Sequence, residues 1–169
     1  MSGYKTKIVT INVPPALLDA RSADSCNPEA LPPTLTQRAQ NAGKAVGILS
    51  TARITHATPA AMYSHSPSRD LEADKDIKGV FSSCTSIAQQ MVDSEAEVIM
   101  GGGFKEFTEG QIETLRTDFI YVGNKTEMAA AQNGKLRGLF NRSHMSYEAD
   151  RTETDEPSLA EMTSVAIDR

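Results

Sequence analysis

Short apolar runs and capped helical stretches alternate along most of this chain, and that alternation restricts the fold more than any other feature. The runs are "AVGILST" (45–51), "AEVIMGGG" (96–103), "FIYVG" (119–123) and "KLRGLF" (135–140). The first has no polar alternation, which suits a strand covered on both faces. Helical stretches lie between and around them. Thr34 with Gln37, Thr108 with Gln111, and Ser158 with Glu161 stand at the spacing of a capping box, where each end of the pair satisfies a backbone N–H of the other. Pro33 precedes the first helix and Gly43 is its expected stop. Pro59 sits near the start of the helical turns of "ATPAAMYSH". Ile87, Met91 and Val92 recur at helical spacing.

The order predicts an α/β fold with a mostly parallel sheet flanked by helices, in one domain over residues 1–169. "TKIVTINV" reads as loop or edge strand. The last element is a helix with no strand after it, so the fold reads as incomplete. Aromatic residues are 5% of the chain and Trp is absent, so the core must rest on Val, Ile, Leu, Met and Ala. A net charge of −5 with scattered Lys and Arg carries no nucleic-acid footprint. No apolar run approaches the ~20 residues that span a bilayer. The first residues, "MSGYKTKIVTINV", lack the apolar stretch of a signal peptide.

The stretch "TARITHATPAAMYSHSPSRD" (51–70) follows the first strand and presents Arg53, His56, Thr58, His65 and Arg69. It is either a polar loop or one wall of a site that handles charge. His56 and His65 are nine residues apart, which fits no zinc-ligand pattern. Asp24 and Ser25 have no His or Lys nearby in sequence to act as base. Gly101, Gly102 and Gly103 lack the spacing of a phosphate loop and read as a tight turn. Cys26 and Cys84 are either two reduced thiols or one disulfide. Asn124 and Asn141 open Asn-x-Ser/Thr triplets and are candidate glycosylation acceptors.

Longer motifs go further. "GKAVGILSTARITHATPAAMYSHSPSRD" resembles the alkaline phosphatase family, in which a strand leads into Thr-Arg-x-Thr-His-Ala-Thr-Pro-Ala and an Arg follows thirteen residues after the His, as Arg69 follows His56. "VIMGGGFKEF", "GLFNRSHMSYEADRTETDEPSLAEMTSVAI" and "MSGYKT" resemble further family segments in the same order. The resemblance implies a three-layer α/β/α fold. It also implies hydrolysis of phosphate monoesters through a phosphoserine, assisted by two zinc ions and a magnesium that clamp the attacking and leaving oxygens.

Residue by residue, Arg69 matches the arginine that grips the substrate phosphate, Thr58 a magnesium ligand, and His56 a position beside that metal acting through water. Cys26 and Cys84 match a family disulfide pair. With that pair comes a periplasmic, extracellular or membrane-anchored parent protein, and the family implies a homodimer. Some animal members hold calcium. Phe140 and Glu156 stand at matching places for it, and Asn141 stands where a Glu would be.

The resemblance also carries departures. The family's Asp-Ser-Ala nucleophile motif is expected upstream of Met1, and the magnesium-binding Glu and zinc ligands downstream of Arg169. Of nucleophile and metal ligands only Thr58 falls within the 169 residues. The expectation is therefore a fragment of a phosphatase, inactive by itself and holding neither zinc nor magnesium tightly. The alternative is a truncated, catalytically dead paralogue that acts as a binding or structural protein.

Overall fold

The computed structural model describes residues 2–3, 5–18, 23–151 and 155–169. The chain divides into two compact units, one of residues 1–44 with 55–94 and one of residues 45–54 with 95–169.

The first unit carries α1 (Pro15–Leu18), α2 (Leu35–Asn41), α3 (Ala57–Tyr63) and α4 (Ile87–Val92). The box before α2 forms as its spacing predicts. Thr34 Oγ1 accepts from the Gln37 N–H at 3.2 Å and Gln37 Oε1 accepts from the Thr34 N–H at 2.8 Å. Gly43 follows at φ +71°, the left-handed stop that glycine supplies without strain. Ser86 caps α4, its Oγ accepting from the Gln89 N–H at 3.0 Å. The segment read as loop or edge strand is a loop with one antiparallel bridge. Ile11 and Ser66 exchange both backbone hydrogen bonds at 2.8 Å. Beside the bridge, Asn12 sits at φ +54° and its Nδ2 donates to the Ala61 and Ser64 carbonyls, each at 2.8 Å. Ile11 and Val13 are buried. The disulfide Cys26–Cys84 ties the α1–α2 connection to the segment before α4.

The second unit carries β1 (Gly47–Arg53), β2 (Val98–Gly102), β3 (Ile120–Val122) and β4 (Leu136–Leu139), with α5 (Glu109–Asp118), α6 (Lys125–Ala130) and α7 (Leu159–Ile167). The strands form one all-parallel sheet in the order β1-β2-β4-β3. α7 packs on β1, and α5 and α6 pack on β3. Val98, Met100, Val122, Met128, Leu136, Phe140, Met145 and Met162 form the core. Four of these eight are methionines, the unbranched gap-fillers that a chain poor in aromatics must use.

Two local expectations change. β1 is an edge strand, and only Ile48 in it is buried. An apolar run reports compatibility with burial, not its place in the sheet order. The three glycines are also not one turn. Gly101 and Gly102 are strand residues of β2. A Cβ on Gly101 would meet the Ser50 carbonyl oxygen at 2.9 Å, and one on Gly102 would run into the Ser143 carbonyl oxygen. Gly103 alone turns the chain, at φ +99°.

Arg137 is the unusual member of this unit. It is fully buried in β4, its Nη1 donates to the Ala96 carbonyl at 2.9 Å, and its guanidinium lies 4.1 Å from the Phe119 ring centroid. Burial lowers its pKa to about 10. The flat cation is stacked and hydrogen-bonded, which is how arginine tolerates an interior.

Candidate functional site

The first unit holds the charge-handling residues. Ile54 and Thr55 are fully buried, and His56 follows as the N-cap of α3 with extended backbone, φ −65° and ψ 150°. Its side chain does not cap the helix. Instead His56 Nε2 lies 2.8 Å from Arg69 Nη2. A guanidinium can only donate, so Nε2 accepts and the ring proton sits on Nδ1.

Arg69 is half-buried, and its own N–H donates to the Val9 carbonyl at 2.7 Å. The loop before it is shaped by serines. Ser66 Oγ donates to the Ser68 carbonyl at 2.6 Å, and the Asp70 N–H donates to Ser68 Oγ at 3.3 Å. These local bonds hold a turn without secondary structure. Thr58, in the first turn of α3, is exposed. The fold therefore brings His56 and Arg69 into contact and leaves the Thr58 hydroxyl at the surface.

Sequence reasoning missed this contact and a second one beside it. Thr55 Oγ1 donates to Glu72 Oε2 at 2.6 Å. Glu72 lies in the stretch that reads as a charged, solvated loop, and nothing in its spacing marks it. It also acts on Tyr63, which is buried. Burial first, and then the Glu72 charge, push the phenol pKa well above its ordinary value.

His65 takes a different part from His56. Its Nε2 lies 2.7 Å from the Pro32 carbonyl, which can only accept, so Nε2 carries the proton. The His65 N–H donates to Gln90 Oε1 at 2.9 Å. Burial pulls its imidazole below the usual range. His65 is a tie between loops.

In the second unit, Arg53 ends β1 and its Nε lies 3.6 Å from Glu106 Oε1. Its Nη1 lies 2.8 Å from His144 Nε2 and its backbone N 3.1 Å from His144 Nδ1, and a neutral imidazole accepts at one of the two. Glu106 is buried, so this ion pair is largely desolvated.

Phe140, Asn141 and Glu156 fall in the same unit. Asn141 Nδ2 donates to Glu156 Oε1, and the Ser146 N–H donates to Glu156 Oε2 at 2.9 Å. Asn141 Oδ1 in turn accepts from the Ser143 N–H at 2.9 Å. Both carboxylate oxygens and the amide oxygen are thus engaged. Calcium takes six to eight oxygens, and among the described residues these two side chains supply three, already engaged in hydrogen bonds. The same bonds bear on the two triplets. Asn141 Nδ2, the atom a glycan would occupy, is committed to Glu156, while Asn124 caps α6 by accepting from the Glu127 N–H at 2.9 Å.

Zinc and magnesium meet a similar test. Among the described residues no group of three or more His, Cys, Asp or Glu side chains could hold a metal ion. Thr58 offers one hydroxyl, and His56 Nε2 already accepts from Arg69. One hydroxyl cannot hold a divalent ion against water, so these residues alone do not fit a metal centre. What the arrangement can do chemically is present a guanidinium, oriented by a neutral imidazole, to an oxyanion.

The comparisons with known proteins bear on this geometry. The alkaline phosphatase family profile matches residues 1–169. The chain is 34% identical over 164 residues to the tissue-nonspecific alkaline phosphatase of Gallus gallus, covering 76% of this chain and 32% of that protein. It is 33% identical over 159 residues to the membrane-bound alkaline phosphatase of Bombyx mori, covering 74% of this chain and 29% of that protein. Among solved structures, the cold-active alkaline phosphatase of a psychrophilic Shewanella sp. aligns with a TM-score of 0.76 at 27% identity, over 99% of this chain and 36% of that one. The chain thus spans about a third of the length of the relatives it matches.

Proposed function

The chain belongs to the alkaline phosphatase family, and on that premise we propose that it forms one wall of the phosphate-binding site of a metal-dependent phosphate monoesterase. In this reading Arg69 grips the phosphate through paired donors, and His56 aims the guanidinium. Thr58 contributes a hydroxyl toward magnesium. The zinc ligands and the nucleophilic serine would come from segments of a longer polypeptide. Zinc and magnesium, when bound, would supply the charge neutralisation that phosphoryl transfer requires.

The observation that carries the reading is the 2.8 Å contact between His56 Nε2 and Arg69 Nη2. The bond joins two residues whose spacing matches the family motif. Arg69 itself is half-buried. The Cys26–Cys84 disulfide supports an oxidising compartment for the longer protein.

The 169-residue chain alone is expected to be inactive, because its described residues bring together no group of metal ligands. Metal analysis by mass spectrometry, run beside phosphomonoester turnover on the purified chain, tests this. The expected result is neither zinc nor magnesium and no turnover; retained zinc with ester cleavage overturns it. Arg69 has its own test. Titrated inorganic phosphate should move the Arg69 Nε–H resonance, and Arg69→Ala should abolish phosphate effects on neighbouring amides. A titration with no response at Arg69 removes its assigned role.

A further inference from the structure

We propose that Glu72 is a positioning residue that holds the His56–Arg69 pair in its phosphate-ready arrangement. The proposal rests on reading Arg69 as a phosphate-holding residue, and its experiment separates the two.

Two side-chain bonds cross between the same two segments of the first unit. Thr55 Oγ1 donates to Glu72 Oε2 at 2.6 Å, and Arg69 Nη2 donates to His56 Nε2 at 2.8 Å. Thr55 and His56 are consecutive, and Arg69 and Glu72 are three residues apart. The bonds differ in what anchors them. Arg69 and His56 are both partly solvated. The Arg69–His56 bond also has a charged partner, but at a partly solvated site it can exchange with water. Thr55 is fully buried, and a hydroxyl donating to a carboxylate makes a short, charge-assisted bond.

Glu72 is in turn held by α4. The Ala88 N–H donates to the Glu72 carbonyl at 2.9 Å, and the Ile87 N–H donates to the Leu71 carbonyl at 3.0 Å. Those N–H groups open α4 and have no partner within the helix, so Leu71 and Glu72 satisfy donors that would otherwise need water. The tie therefore runs from α4, through the backbone and side chain of Glu72, to Thr55 and on to the next residue, His56. It fixes the imidazole before any ligand arrives. A guanidinium already aimed loses less freedom on gripping an anion.

The test uses the whole 169-residue chain and the imidazole nitrogens of His56, read by long-range proton–nitrogen NMR at alkaline pH. In the unaltered chain, Nε2 should show the signature of an acceptor nitrogen and Nδ1 that of a protonated one. Thr55→Val removes the hydroxyl at constant shape, and Glu72→Ala removes the carboxylate. Each should collapse the two signatures toward an average and weaken the response of Arg69 Nε–H to inorganic phosphate about fivefold, the worth of one ordinary hydrogen bond. Glu72→Gln keeps an acceptor oxygen and should preserve both readouts.

Amide dispersion reports whether each variant folds, and Thr55→Val decides the question if Glu72→Ala does not fold. Unchanged His56 nitrogens and an unchanged phosphate response in folded Thr55→Val overturn the proposal while leaving the phosphate reading standing. A collapsed His56 signature with no phosphate response at Arg69 in any chain supports positioning and overturns the phosphate reading.

Discussion

Cys26 and Cys84 are joined with their Cα atoms 5.0 Å apart, closing a loop across 58 residues of sequence. In the chain-entropy account, cross-linking a loop of that length removes unfolded-state freedom worth about 4 kcal/mol. Reduction, or Cys26→Ser with Cys84→Ser, should lower unfolding stability by about that amount. Urea unfolding of the oxidised and reduced chain measures it. Coincident curves would show that the bond constrains little that matters.

Gly102 and Gly110 should respond to alanine with opposite signs. A Cβ on Gly102 would strike the Ser143 backbone carbonyl, which cannot move aside as a flexible side chain would. Gly102→Ala should cost about 3 kcal/mol. Gly110 lies in α5 with nothing within 4 Å of a Cβ, so Gly110→Ala should stabilise by about 0.5–1 kcal/mol. Thermal unfolding of both variants checks the pair, and equal shifts would contradict it.

His65 should set part of the acid limb of stability. Its folded pKa lies below the ordinary imidazole value, mainly through burial. Below the unfolded value the unfolded chain binds the extra proton first, so stability is lost as pH falls through that window. His65→Gln, whose amide can still donate toward the Pro32 carbonyl, should flatten the dependence of stability on pH below the ordinary imidazole value of about 6.5. An unchanged slope would show that other groups carry it.

Asn141 and Glu156 close their loop by hydrogen bonding, each named side-chain oxygen accepting from or facing a donor. Asn141→Ala should destabilise the second unit by about 1–3 kcal/mol, because it strips a partner from a half-buried carboxylate. Calcium should shift neither the unaltered chain's melting temperature nor its calorimetric baseline. A calcium-dependent rise in melting temperature would overturn this.

Much of the fold was legible in the residues. Capping-box pairs at Thr34, Thr108 and Ser158 announced three helices, and each box forms. Such signals are local, and local bonds survive in any context that permits a helix. The four apolar runs announced four strands, and the sheet is parallel as the alternation required. The motif around His56 and Arg69 marked both residues by their spacing, and the structure brings their side chains together.

Long-range partnership was not legible. β1 reads as a strand covered on both faces, yet it lies at the sheet's edge with only Ile48 buried, because composition records apolar character and not neighbours. Glu72 reads as solvated charge, and it accepts from a buried threonine seventeen residues earlier. Asn141 reads as a glycan acceptor or metal position, and its amide serves a carboxylate fifteen residues on. The sequence by itself determined the elements and the family, since each rests on short spacing and local signals. Only the tertiary structure decided the pairing of His56 with Arg69 and which carboxylate steadies that pair, because a hydrogen bond depends on where two atoms end up in space and leaves no periodic trace along the chain.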